Sequence, residues 1–231
     1  SIEADRWKNM SSQLQESQFF REKQVIINEL REYLDINPLE KWEMQNPSDL
    51  FGVNHPYGHP TIGTEKSISN ISMQDIRDYL NTWYHPENTI VCIVGQESEA
   101  RVLESLQSHW GTHINKNPFV QKQVSIPGNP IKETTSIQLA NTPPMICWQW
   151  ICRVDHIGAA EIIAIMLSSG QYGVLHHDLV LNRYWAISVH AFVQEHPSMN
   201  ILELRIELAD ESKRNQVYAY VDGVIRNIQN I

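Results

Sequence analysis

Apolar residues at Phe19, Val25, Ile26, Leu30 and Leu34 recur at helical spacing between Glu16 and Leu34, and Pro38 stops the pattern. A helix is expected there. The stretch 37–63 holds Pro38, Pro47, Pro56 and Pro60 and reads as mainly loop, with at most a short helix around Leu39 to Met44. Ser72 and Asp75 then form a capping box ahead of Ile76, Tyr79, Leu80 and Trp83, which predicts a helix from Met73 to Tyr84. Thr89 to Val94 is a short β-branched run closed by Gly95 and predicts a buried strand, and Ser98 to His109 reads as another helix.

Strand patterns return near Thr134 to Leu139 and at Met145 to Cys152, before a largely apolar helix from Gly158 to Leu167 and a shorter one near Leu175 to Leu181. Two longer strands, Ala186 to Gln194 and Ile201 to Leu208, precede a closing helix whose Asp210 and Glu211 suit its positive N-terminal end. Strand pairs mixed with helices point to an α+β fold with a mixed, largely antiparallel sheet packed by helices, not to a doubly wound parallel one.

Composition narrows the function. With 231 residues, 42% of them hydrophobic, the chain can build one large domain or two smaller cores. A net charge of −9 and the lack of a basic patch exclude nucleic acid as the main partner, because phosphate recognition needs concentrated positive charge. No window approaches the roughly 18 apolar residues of a membrane span, and SIEADRWKNM lacks the pattern of a signal peptide. A soluble protein is expected. The opening residues already follow a helix-like pattern, as though the chain begins inside an element. Cys92, Cys147 and Cys152 fit neither a disulfide framework nor a paired zinc ribbon, and Cys92, inside TIVCIVG, reads as a buried inert thiol.

Candidate chemistry is sparse. Glu22 and Glu29 lie seven residues apart, close to two helical turns, so both carboxylates point from one side of the first helix. From spacing alone this is either ordinary surface charge or half of a metal site. His55 and His59 have a metal-ligand spacing, but Pro56 and Gly58 deny them a helix, and a turn packing Tyr57 is the better reading. His109 and His113 straddle Gly111 at a helix end, and the adjacent His176 and His177 diverge by about 100°. No G-x-S-x-G and no glycine-rich phosphate loop occurs; Ser168, Ser169 and Gly170 read as a helix stop.

Four segments in order resemble the insulinase/pitrilysin family of inverted-zincin metallopeptidases, which includes the mitochondrial processing peptidase: ADRWKN, REKQVIINE, HPYGHPTIGTEKSI and ISMQDIRDYLNTWYHPENTIVCIVG. The resemblance is dense from Ala4 to Gly95 and a matter of pattern from about Thr134 onward. It implies two successive subdomains of the insulinase-type fold: residues 1–66 as the C-terminal part of the metal-bearing subdomain and 67–231 as a second α+β subdomain. Members hold zinc with two histidines of H-x-x-E-H and a downstream glutamate. Matched residue by residue, Glu29 falls at the zinc-ligand position and Glu22 at the glutamate that supports the site from behind it.

No H-x-x-E-H occurs in the 231 residues. The family places it upstream of the ligand glutamate, so the expectation is a fragment beginning after that motif. Such a chain would be part of a zinc-dependent endopeptidase, inactive alone, working with a second homologous half on an extended peptide. The alternative is a non-catalytic peptidase-like subunit that pairs with an active half or scaffolds a complex. Zn²⁺ would belong to the intact protein and be absent from this chain. A bacterial periplasm or cytoplasm is favoured over an organelle.

Overall fold

A computed structural model of the chain describes residues 2–84, 88–111 and 142–228. They fall into two compact units, one of Ser1–Ile36 with Thr61–Gln123, the other of Asn37–Pro60 with Val124–Ile231.

Unit 1 is helical: α1 (Ile2–Asn9), α2 (Glu16–Ile36), α4 (Glu65–Asn70), α5 (Met73–Trp83) and α6 (Glu99–Trp110). Both α4 and α5 begin with reciprocal capping boxes, Thr64 with Ser67 and Ser72 with Asp75. Each satisfies two backbone N–H groups that a helix start leaves without partners. Ser72 also holds the Asp75 carboxyl below its ordinary range by hydrogen bonding.

Two expectations fail in this unit. Thr89 to Val94 joins no sheet among the described residues; Ile90 and Val94 are 97% and 95% exposed, and Cys92 is exposed as well. The run has strand-forming side chains, but a strand needs a neighbour to hydrogen-bond, and the described part of unit 1 offers none. On α2 the buried positions are Ile27 and Leu30, while Val25 and Ile26 face outward. Which stripe of a helix is covered depends on where its neighbours lie, which spacing does not reveal.

Unit 2 is built on an antiparallel sheet of β1 (Met145–Cys152), β2 (Ala186–His196) and β3 (Met199–Leu208), in the order β1-β3-β2. Strand period two sends Leu204, Ile206 and Leu208 to one face, where α7 (Ile157–Ser168) and α9 (Arg214–Arg226) close the core through Leu167, Val217 and Val221. Between α7 and β2 the chain runs through a short turn of helix, α8 (Val174–His176), continuing as a π-helix, His177–Asn182. Ser168 does end α7, as its small-residue turn suggested. The α+β reading and the three later strands hold; the strand expected near Thr134 to Leu139 lies outside the described residues.

The supposed loop after Pro38 contains α3 (Glu40–Phe51), a full helix that runs through Pro47. Proline removes one intrahelical hydrogen bond. Burial of Asp49, Leu50 and Phe51 at the far end, with Phe51 and Leu50 clustered on Met199 and Ile201 of β3, holds the helix regardless.

Candidate functional site

Helix α2 owes its setting to two cations on its covered side. Lys23 Nζ donates to the carbonyls of Ser69 and Ile71 at 2.6 and 2.7 Å, meeting the negative end of α4. Arg31 reaches Glu65 in the first turn of α4, and this ion pair lowers the glutamate and raises the arginine away from their ordinary values. With Ile27 and Leu30 buried between these contacts, the opposite stripe of the helix is left in solvent.

That stripe carries both predicted residues. Glu22 accepts from its neighbour Arg21, with Nη2 to Oε1 at 2.8 Å, whereas Glu29 has no hydrogen-bond or ion-pair partner among the described residues. Val25 and Ile26 lie between them, 51% and 40% exposed. The structure therefore brings Glu22 and Glu29 to one open, partly apolar face. Among the described residues no group of three or more His, Cys, Asp or Glu is placed to hold a metal ion. Zinc needs at least three protein ligands in a fixed tetrahedral arrangement. One free carboxylate does not fit that requirement, and no catalytic step can be drawn through zinc on these residues.

The histidine readings hold where they are described. His55 sits in a turn, accepting at Nδ1 from Tyr57 N at 3.1 Å, and Tyr57 packs beside Phe51. His109 Nδ1 lies 2.8 Å from Ser105 O at the end of α6; His113 is outside the described residues.

Sequence reasoning missed a buried charge network on the second face of the unit 2 sheet. Glu203 is fully buried, and its Oε2 accepts from Gln149 at 2.7 Å and Gln194 at 3.0 Å. Arg205 pairs with Glu203 and, at 3.0 Å, with Glu43 of α3, lying over the rings of Trp42 and Phe192. Burial alone would pull the Arg205 guanidinium down, but the two carboxylates outweigh it and the value is raised. Cys147, on the same face, is pushed far above the ordinary thiol range by burial first and Glu203 second. A thiol kept protonated is no nucleophile. The alternation LELRIEL is the pattern of a sheet with one covered face and one in water, so no local signal announced that α3 would cover the charged face.

No helix among the described residues is long and apolar enough to cross a membrane. The Peptidase M16 inactive domain family matches residues 70–231. The zinc protease PqqE of Helicobacter pylori is 31% identical over 100 residues, covering 43% of this chain and 22% of that protein. A protease from Helicobacter pylori of known structure superposes with a TM-score of 0.75 at 18% identity, over 93% of this chain and 54% of that one. The first half of the periplasmic protease PqqL from Escherichia coli superposes with a TM-score of 0.56 at 15% identity, over 85% and 43%. The chain spans 22% to 39% of the length of the curated relatives it matches.

Proposed function

The chain belongs to the peptidase M16 family by its match to the inactive domain, and from that premise we propose that it is the portion of a zinc-dependent endopeptidase that contributes one metal ligand, Glu29. Residues 1–66 end the metal-bearing subdomain and residues 67–231 form the following one, a division supported by the family match starting at residue 70. The observation that carries the reading is the unpartnered Glu29 carboxylate on the uncovered, partly apolar side of α2, with Glu22 two turns away.

Two histidines and a general base have to come from chain that is not among these residues, and this chain alone is inactive. The exposed Thr89–Val94 run supports the same view, since a β-branched segment open on both sides is the composition of an inner strand. The partner is a second homologous half, in the same chain or another, and the substrate an extended peptide that adds to a sheet edge.

The test is made in the longer protein. Glu29→Gln is expected to lower bound zinc, measured by elemental mass spectrometry, and to abolish peptide cleavage while circular dichroism is unchanged. Zinc retained at full occupancy refutes the assignment. The second reading, a non-catalytic subunit, draws on the absence of H-x-x-E-H from these 231 residues. An intact H-x-x-E-H encoded upstream of Ser1 excludes it, and a degenerate motif there favours it.

A further inference from the structure

Segment 37–60 is held on the unit 2 sheet by two anchors of different chemistry. The first is α3, tied through Glu43 to Arg205 and through Leu50 and Phe51 to Met199 and Ile201. The second is the turn after it, where His55 N donates to Gly52 O at 3.1 Å and Gly58 N to His55 O at 2.8 Å. Gly58 is required there: a Cβ would stand 1.9 Å from the Gly52 carbonyl oxygen. The turn presents Tyr57 to the sheet, packed against the cluster of Leu50, Phe51, Met199 and Ile201 and with its ring centroid 5.0 Å from that of His196 at the end of β2.

His196 Nε2 is sealed from solvent and has no hydrogen-bond partner among the described residues. A buried imidazole nitrogen with no acceptor opposite it tolerates the neutral ring and opposes a proton, because an imidazolium needs both N–H groups satisfied. Of the titratable and charged groups on the elements packed here, Tyr57 is in ring contact with it and His55 stands against Tyr57, while on α3 Glu43 pairs with Arg205 and Asp49 accepts from Gln45; Glu195 precedes it on its own strand. Successive strand side chains point to opposite faces, so Glu195 is directed away from His196. Opposite it, β3 presents Met199, its partner in register, followed by Asn200, and the β1 residue of this cluster, Ile151, is uncharged.

We propose that His196 and Tyr57 form a proton-sensitive latch: the neutral imidazole seats Tyr57 and keeps the 52–60 turn docked, and the imidazolium releases the turn while α3 stays bound. The inference does not depend on the zinc reading. A tyrosine ring can attract a cation and so favour the imidazolium, but here burial prevails and holds His196 below the ordinary histidine value. The sign follows. Docking is complete above about pH 6.5, the unfolded histidine value, and is lost as pH falls through the lower folded value. The α3 anchor holds through the Glu43–Arg205 ion pair and the apolar contacts of Leu50 and Phe51, with no imidazole in it, so the two anchors separate.

Hydrogen exchange of the whole chain, expressed as protection relative to intrinsic rates between pH 7.5 and 5.0, tests the latch. Peptides spanning 52–60 are expected to lose protection with falling pH, at up to about tenfold per pH unit, the limit for one coupled proton. Peptides of α3 should stay unchanged. His196→Phe keeps the ring contact without the proton and is expected to hold the turn protected throughout, while His55→Phe keeps the wild-type pH response. A flat wild-type profile overturns the proposal, and so does a response that survives His196→Phe or vanishes in His55→Phe. Should His196→Phe fail to fold, the wild-type His196 ring titration decides by NMR: a midpoint at or above the ordinary histidine value overturns the latch, and one below it sustains it.

Discussion

In unit 2, Leu175, Leu179, Leu204, Ile206 and Val217 are sealed from solvent by helices on one face of a ladder that has three strands among the described residues. Among the described residues of unit 1 the buried apolar ones are Ala4, Ile27, Leu30 and Ile68, and neither α5 nor α6 buries a residue. Yet unit 1 is not polar: Ile90, Val94, Leu103 and Ile36 are all exposed. The two units carry similar apolar patterns, but among the described residues only unit 2 turns its pattern into a closed core. Burying one such side chain stabilises by roughly 1.5–3 kcal/mol, so unit 1 has unused burial that a covering element could convert into stability.

The largest expected effect tests this contrast directly. Leu204→Ala removes a fully buried side chain from the sheet centre and should cost about 3 kcal/mol in urea unfolding. Ile90→Ala, with 97% of its surface already in water, should change stability by less than about 0.5 kcal/mol. Equal losses would break the comparison, because they would place Ile90 in a core.

A middle-sized effect sharpens it inside unit 2. Tyr220 donates to Asp178, and Arg183 lies over the rings of both Trp185 and Tyr220 at 4.8 Å, a polar cluster where π-helix, β2 and α9 meet. Removing the hydroxyl in Tyr220→Phe should cost about 1 kcal/mol at neutral pH. Its pH dependence has two edges. The Tyr220 hydrogen bond holds Asp178 low, so that stability is present above the unfolded carboxyl value and lost as pH falls through the folded one. Burial, then Asp178, pushes the phenol up to about 12, so its share is present below about pH 10 and lost as pH rises beyond it. Thermal melts of Tyr220→Phe should lack the alkaline edge and show a weakened acid edge, since Asn182 still holds Asp178 low; an unchanged acid edge would assign it elsewhere.

The smallest effect is a gain. Tyr184 adopts φ 54° between the π-helix and β2, with its side chain 74% exposed. A non-glycine residue pays about 1–2 kcal/mol in the left-handed region, and glycine's extra unfolded-state freedom takes back about 0.5–1 kcal/mol. Tyr184→Gly should therefore stabilise by about 0.5 kcal/mol in the same urea assay. A loss would mean that the tyrosine makes a contact worth more than the strain.

Local chemistry was legible wherever its cause lay within a few residues. The Ser72–Asp75 box, the Met145–Cys152 strand, the stop at Ser168 and the HPYG turn all formed where their residues indicated, because caps, strand alternation and glycine turns are made by near neighbours. The E-x6-E spacing put Glu22 and Glu29 on one side of α2 for the same reason: helical geometry alone sets that angle.

What lay beyond local reach was which side would be covered. Periodicity could not say that Lys23, Ile27 and Arg31 would face α4 and leave Val25, Ile26 and Glu29 open, nor that Thr89–Val94 would find no strand to pair with among the described residues. The Glu203–Arg205–Glu43 chain joins positions up to 162 residues apart, and α3 persists through Pro47 because its last turn is buried against β3. Burial and ion pairing at such separations depend on where the chain returns in space. The chain's residues set each element's type and the faces it could offer; packing chose the faces that were used, and left the one bearing Glu29 open.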